Sequence, residues 1–481
     1  MCKDFSNLPK EAFIHPNGFN KKEVIELLQR GIQLFTGHLS NFESTSPLPN
    51  SPEKVFDITI PDSPMGLEHI FDELKNIIEL SMNPSHPGYI GHMDSMPTTM
   101  SIMGDMISTA LNNNMLSIEM SPMLSNLEYS ITKAIAGLFG LGENAGGVLV
   151  SGGSLANLQA LTVARNHAFK SVKQGIVGLN FKPVILSSEV AHTSLQKAAM
   201  ILGLGIDAVI SVKTNENSQL DVSDLVTKIE KCKLENKYPF CVVATAGTTV
   251  TGSIDNLIEI NKIAKEYGLW FHVDAAYGGG LVLSDKYRKL IEGIEFADSI
   301  TFNPQKLLYI AKTCAMVLFR DIRLLDEDFR ISAPYMKEIQ SVNLGEISVQ
   351  GTRHADILKF WLSLQHIGKD GYNELINKNM KLTQYVMSHI HERPDIVVTN
   401  IPQTNIICFR GTPSWLTEDK WDDWNTKLQN YLLSAASIFV SLPMYRGYRW
   451  LRVVLLNPYT DESVIDNLFE KIDDFIKMKC K

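Results

Sequence analysis

Paired cysteines are missing from this 481-residue sequence: Cys2, Cys232, Cys241, Cys314, Cys408 and Cys480 stand far apart, with no CxxC or CxxH pair among them. That spacing excludes a dithiol redox centre or a cysteine-based metal site and fits reduced cytosolic thiols. Basic charge is not in excess either. Lys and Arg number 45 against 53 Asp and Glu, a net charge of −8. Nothing in that balance attracts a phosphate backbone or an anionic lipid surface, so neither nucleic acid nor a membrane is expected as a partner. Long apolar runs are lacking too. The opening MCKDFSNLPKEAF has no signal-peptide stretch, and no later run approaches the roughly 20 apolar residues needed to span a bilayer. A cytoplasmic location is expected. Internal repeats and low-complexity blocks are absent as well.

What is present is the material of a packed chain. Hydrophobic residues make up 44% and charged residues 20%, which is ordinary globular composition and argues against disorder. At this length a single core stops growing, so two or three packed regions are expected. Residues 21–35, KKEVIELLQRGIQLF, carry apolar side chains at helical spacing before the Pro/Ser/Asn-rich STSPLPNSPEK. They read as an N-terminal arm. From Gly146 onward, short β-branched runs (GGVLVSG, PVILSS, DAVISVK, FCVVATAG, WFHVDAA, DSITFN, CAMVLF) alternate with helical stretches. Such alternation predicts an α/β fold with a largely parallel sheet covered by helices on both faces. Past Arg353, the helical patterns ADILKFWLSLQHI and YNELINKNMKLTQYVMSHI lead to strands NIICFRG and YRWLRVVLLNP and a final helix ESVIDNLFEKIDDFI. These read as a smaller α+β domain. The expected division is an arm with a pocket segment over 1–99, a large domain over 100–370 and a small domain over 371–481.

Five segments carry residues suited to chemistry. In VLVSGGSLANL (148–158) a strand ends in Ser151-Gly152-Gly153-Ser154 and a helix begins. Glycines permit close backbone approach, and a helix N-terminus offers unpaired N–H donors to an anion such as phosphate. A tight strand-to-helix connection would look the same. WFHVDAAYGGG (270–280) places Asp274 at the carboxyl end of a strand, where ligands gather in open α/β sheets. An acid there can keep a pyridine nitrogen protonated, or simply cap the next turn. DSITFNPQKLL (298–308) sets Lys306 against Leu307, Leu308 and Tyr309. Desolvation in such company lowers an amine's pKa and frees it to form a Schiff base, although a snorkelling surface lysine fits the same letters. SSEVAHTSLQKAA (187–199) puts His192 before a helix, and ATAGTTVTGS (244–253) is another strand ending in a Gly/Thr turn. Their shared order matters most: phosphate turn, His, Gly/Thr turn, Asp, Lys, each at the carboxyl end of its own strand.

With these motifs the sequence resembles the group II pyridoxal-phosphate decarboxylases, the family of glutamate and aromatic-amino-acid decarboxylases, from about His86 to Asp466. The resemblance implies the aspartate-aminotransferase-like fold with a seven-stranded sheet, pyridoxal phosphate as cofactor, and decarboxylation of an L-amino acid to a primary amine. It makes Lys306 the Schiff-base lysine, Asp274 the partner of the ring nitrogen and His192 the residue stacked on the ring. Gly153, Ser154, Asn303 and Gln305 would hold the phosphate, with Thr248 and Ala276 near the ring. HPGYIGHMDS (86–95) resembles the substrate-pocket segment, bringing His92 and Asp94 to the substrate side chain, and NNNMLSIEMSP (112–122) is similar to the glutamate decarboxylase stretch. Arg452, in RWLRVVLLNP, would take the α-carboxylate through its guanidinium fork. Tyr335, in SAPYMKE, falls where the family has a loop tyrosine that protonates the carbon left by CO2. The resemblance also implies a homodimer with its site at the subunit interface. The sequence departs from many relatives in having Gln305 and Leu307 on either side of the lysine in place of His and Trp, and a shorter stretch between Tyr335 and Arg353. An aminotransferase or an aldehyde-forming decarboxylase on the same fold are the rival reactions.

Overall fold

The computed structural model describes residues 8–49, 60–332 and 343–478. Two compact units are present: Met1–Ile90 with Leu428–Val440 and Asn457–Lys481, and Gly91–Lys427 with Ser441–Leu456.

All seven β-branched runs that the sequence offers form strands, in the larger unit: β1 (Gly146–Val150), β2 (Lys182–Ser188), β3 (Val209–Val212), β4 (Lys237–Thr245), β5 (Trp270–Ala275), β6 (Ser299–Phe302) and β7 (Ala315–Phe319). They lie in one sheet in the order β1-β7-β6-β5-β4-β2-β3. Pairings of β6 with β5, β5 with β4, β4 with β2 and β2 with β3 are parallel. Only β7 runs against its neighbours. Strands β1, β5, β6 and β7 are buried along their whole length. Burial on both faces is why these strands read as continuous apolar runs with no alternation. The covering helices include Gly153–Phe169, which packs on β4, β6 and β7, and Val222–Leu234 against β4. The sheet is thus the predicted mostly parallel, seven-stranded α/β layer.

A second sheet in this unit joins β8 (Ile396–Val398), β9 (Ile406–Gly411) and β12 (Leu451–Val454), all antiparallel, beside the short hairpin β10 (Met444–Tyr445) and β11 (Tyr448–Arg449). The run YRWLRVVLLNP therefore serves two ladders. The two helical patterns after Arg353 form Ile357–His391, interrupted at Gly368, whose φ of 67° and ψ of 173° are not helical. One buried ion pair ties this region to the sheet. Arg353 Nη1 and Nη2 donate to Glu128 at 2.7 and 2.5 Å, and Glu128 Oε1 also accepts the Leu149 amide of β1 at 2.9 Å.

In the smaller unit, helices Lys21–Leu39 and Leu67–Glu79 bury little: Val24 is the one buried residue of the first and the second has none. Among the described residues, no helix is long and apolar enough to cross a membrane.

Candidate active site

Because β1, β2, β4, β5 and β6 point the same way, their carboxyl ends share one edge of the sheet, and the loops leaving them converge. A cavity of about 340 Å³ opens there. Its walls come from Ser151, Gly152, Gly153 and Ser154 after β1, His192 after β2, Thr245, Gly247 and Thr249 from the end of β4, Asp274 and Ala276 from β5, and Asn303, Gln305, Lys306 and Thr313 after β6, with Asn157 from the helix between.

At one end of the cavity the chain turns through Gly152, whose φ of 101° suits glycine, into helix Gly153–Phe169. No side chain caps this helix start, so the positive end of its dipole meets the cavity. Asn303, oriented so that its oxygen accepts the Gly153 amide at 3.2 Å, braces the turn. A Cβ at position 153 would stand 2.9 Å from that amide group. The arrangement suits an anionic phosphate.

Asp274 is buried, accepting the Ala276 amide at 3.1 Å and Asn157 Nδ2 at 2.9 Å. It stands in register beside Thr245 of β4 and Thr301 of β6. His192 lines the cavity with part of its surface exposed to solvent and its Nδ1 accepting the Ser194 amide at 3.1 Å. Its pKa is lowered, chiefly by desolvation of the ring atoms on the cavity side and also by Lys306, against the pull of Asp274. Lys306 has its pKa lowered chiefly by burial, with Arg452 acting in the same direction. Among the described residues no acceptor holds its Nζ, which leaves the amine for a carbonyl carbon.

Lys306 also lines an adjoining cavity of about 200 Å³, with His92, Met93, Asp94, Thr249, Gln305, Lys312 and Arg452. Arg452 is buried on β12. Its Nε donates to Ser441 Oγ at 2.9 Å, Nη1 to the Thr249 carbonyl at 2.6 Å, and Nη2 to the Gly91 carbonyl at 3.1 Å and His92 Nδ1 at 3.0 Å. At least four of the five guanidinium N–H groups are therefore committed within the protein, and a bidentate grip on a carboxylate requires displacing one of these acceptors. Desolvation, first, and then Arg452 lower the pKa of His92. Asp94 is ion-paired with Lys312.

The structure thus gathers Lys306, Asp274, His192, Gly153, Ser154, Ala276, Asn303 and Gln305 around one cavity, and His92, Asp94 and Arg452 around the next. Gln305 Oε1 accepts the Cys314 amide at 2.6 Å. Thr248 is placed differently. Its hydroxyl bonds Thr251 Oγ1 at 2.8 Å and accepts the Ser253 amide at 3.1 Å, holding the turn together, while Thr245 and Thr249 line the cavities. Tyr335 lies outside the described residues. Sequence reading missed Asn157, Thr245, Thr249 and Lys312. Asn157 had a signal, since it sits four residues after Gly153 and so on the same helix face. Thr245 had one in being the last residue of its strand.

The Thr245 hydroxyl is buried without a partner among the described residues. An orphaned hydroxyl on a wall that also offers a phosphate turn, a carboxylate and an amine fits a phosphorylated aromatic aldehyde bearing a ring nitrogen and a ring oxygen, which is pyridoxal phosphate.

Comparison with known proteins agrees. The model of the pyridoxal-dependent decarboxylase conserved domain matches residues 49–412. The fold is similar to that of mouse CSAD in apo form, at 27% identity and a TM-score of 0.88, covering 95% of this chain and 99% of that one. It is similar to the glutamate decarboxylase domain of diaminobutyrate-pyruvate transaminase and L-2,4-diaminobutyrate decarboxylase from Vibrio parahaemolyticus, at 24% identity, a TM-score of 0.84, and coverage of 97% and 98%. Oryza sativa TDC, solved with PLP and tryptamine, shares the fold at 22% identity and a TM-score of 0.89, covering 98% of this chain and all of that one. A family match over most of the length, on a fold whose strand ends fit the family's cofactor, means that this chain belongs to the pyridoxal-dependent decarboxylases.

Proposed function

We propose that the protein removes the α-carboxylate of an L-amino acid as CO2 and releases the primary amine, using pyridoxal phosphate held on Lys306. The observation that carries this reading is the position of Lys306: a desolvated amine lining both the cavity suited to the cofactor and the smaller one that contains Arg452. When bound, the cofactor supplies an electron-withdrawing ring that accepts the electron pair left by CO2. The protein's own residues do the rest. The turn at Gly153 and Ser154, with Asn303, holds the phosphate, and Asp274 pairs with the ring nitrogen. His192 covers one ring face. Arg452 orients the α-carboxylate, exchanging an internal acceptor for it, and the apolar wall at Met93 limits water. Tyr335 is assigned the return of a proton to the carbon.

Asp94 and Lys312 sit where the substrate side chain would extend. An ion pair in that position favours a side chain that is charged or forms hydrogen bonds, because an apolar group would desolvate both partners without replacing their contacts.

A homodimer is part of this reading. Ile25, Leu28 and Ile32 expose one apolar stripe on helix Lys21–Leu39, and Ile70, Leu74 and Ile77 expose another on Leu67–Glu79. A second copy of the chain covers such stripes. Cytoplasmic residence suits the four described cysteines, which are buried free thiols.

The test is a panel of acidic, basic, aromatic and small amino acids, including ornithine, diaminobutyrate and cysteine sulfinate, with CO2 and products followed by mass spectrometry. The expected result is one amino acid giving equal CO2 and amine, lost in Lys306→Ala together with the absorbance of the lysine-bound cofactor. A keto acid or an aldehyde in place of the amine would overturn the reaction assignment while leaving the cofactor site standing.

A further inference from the structure

Below Asp274, on the same face of the sheet, lies a column of polar side chains that apolar strands do not need. Period-two alternation puts Trp270, His272 and Asp274 on one face of β5, and Ser299 and Thr301 on the same face of β6. His272 is in register with Ser299, and Asp274 with Thr301. Asn157, Ser194, His272, Ser299 and Thr301 are at most 2% exposed, so each must find its hydrogen bonds inside the protein.

Their bonds can run in only one direction. Asn157 Nδ2 donates to Asp274 Oδ2 and to Ser194 Oγ, both at 2.9 Å. Its Oδ1 must then be the acceptor for Thr301 Oγ1 at 2.6 Å and for His272 Nε2 at 3.1 Å. His272 Nε2 therefore carries the proton, and in the neutral ring Nδ1 accepts from Ser299 Oγ at 2.8 Å. Ser299 Oγ in turn accepts the indole N–H of Trp270 at 2.9 Å. One continuous run of donors leads up the column, from Trp270 through Ser299, His272 and Asn157 to the carboxylate.

We propose that His272 is a positioning residue for the reaction: it locks the Asn157 amide with its NH2 toward Asp274, and so fixes how that carboxylate meets the ring nitrogen of the cofactor. Without His272, the Asn157 amide faces only the Thr301 hydroxyl, which can donate or accept and so does not oppose its rotation, and Asp274 loses an oriented donor. The inference rests on Asp274 being the partner of the ring nitrogen, as proposed above.

The test compares the wild-type holoenzyme with Asp274→Asn, His272→Phe and His272→Gln. Two readouts independent of turnover are taken: the pH titration of the bound cofactor's absorbance, and the dissociation constant of pyridoxal phosphate from the apoenzyme. If Asp274→Asn changes neither, the reading of Asp274 fails and this proposal falls with it. With Asp274→Asn altered, His272→Phe is expected to displace the absorbance titration and weaken cofactor binding about tenfold. His272→Gln, whose amide can accept from Ser299 and donate to Asn157, is expected to recover most of that loss. An unmoved titration and unchanged affinity in His272→Phe, or equal impairment in the Phe and Gln variants with only the melting temperature lowered, overturns the proposal. Should the Phe variant fail to fold, Ser299→Ala, which frees the histidine tautomer, is read the same way: a displaced titration supports the column and an unmoved one refutes it.

Discussion

Burial pushes the pKa of His272 down to about 4, although Asp274 pulls it upward. A histidine whose folded-state pKa lies below its unfolded value binds its proton more readily in the unfolded chain. The stability it supports is therefore complete above about pH 6.5 and lost as pH falls toward 4, an effect on the order of a few kcal/mol. Urea unfolding at pH 7 and pH 5 checks this, with His272→Gln expected to flatten the difference. Thr245 makes the opposite kind of prediction. Its buried hydroxyl lacks a partner among the described residues, so Thr245→Val is expected to leave the apoprotein as stable or up to about 1 kcal/mol more stable, while weakening pyridoxal phosphate binding several-fold. Thermal unfolding with and without the cofactor separates the two. Lys306 and Asp274 were legible in the sequence because a strand end followed by a reactive side chain is a local pattern. The column beneath Asp274 was not, since its members come from a helix and two strands and meet only through the β5–β6 register. Lys312, in an otherwise apolar stretch, gave no sign that it would pair with Asp94.

At the scale of elements, β1, β5, β6 and β7 could be read because both faces of each are buried, which leaves an apolar signature that needs no partner to be recognised, and edge strand β3, only partly buried, was read from its β-branched residues. Antiparallel β7, wedged between β1 and β6, carries the same signature as its parallel neighbours, so its direction was invisible. The strand-to-helix turn that opens helix Gly153–Phe169 is tight enough to be tested directly. In Gly153→Ala the added methyl meets the Asn303 amide at 2.9 Å, and one of the two must yield. Overpacking of this kind costs about 1–3 kcal/mol. Isothermal titration is expected to show weaker cofactor binding, with the far-ultraviolet circular dichroism of the apoprotein unchanged. Glu128 and Arg353 join helix Pro122–Leu138 to the segment before Ile357–His391. Removing one member leaves a buried charge, and Arg353→Leu is expected to lower stability by about 3–5 kcal/mol in chemical denaturation.

For the whole molecule, the exposed apolar stripes of helices Lys21–Leu39 and Leu67–Glu79 make assembly testable. Paired charges at Leu28→Glu and Ile32→Glu should shift the mass measured by light scattering from two chains to one. No change in mass would remove these helices from the interface. The order of strands carries one more consequence, for biosynthesis. Strand β1 touches the rest of its sheet only through β7, with Gly146 opposite Phe319. During translation at about 5–20 residues per second, β7 leaves the ribosome roughly ten to thirty seconds after β1. Throughout that interval GGVLV has no ladder partner, and for most of it the phosphate turn it carries has no brace from Asn303. A nascent chain with such an edge is open to pairing with other chains, and yields of soluble protein are expected to rise when a holdase chaperone is co-expressed.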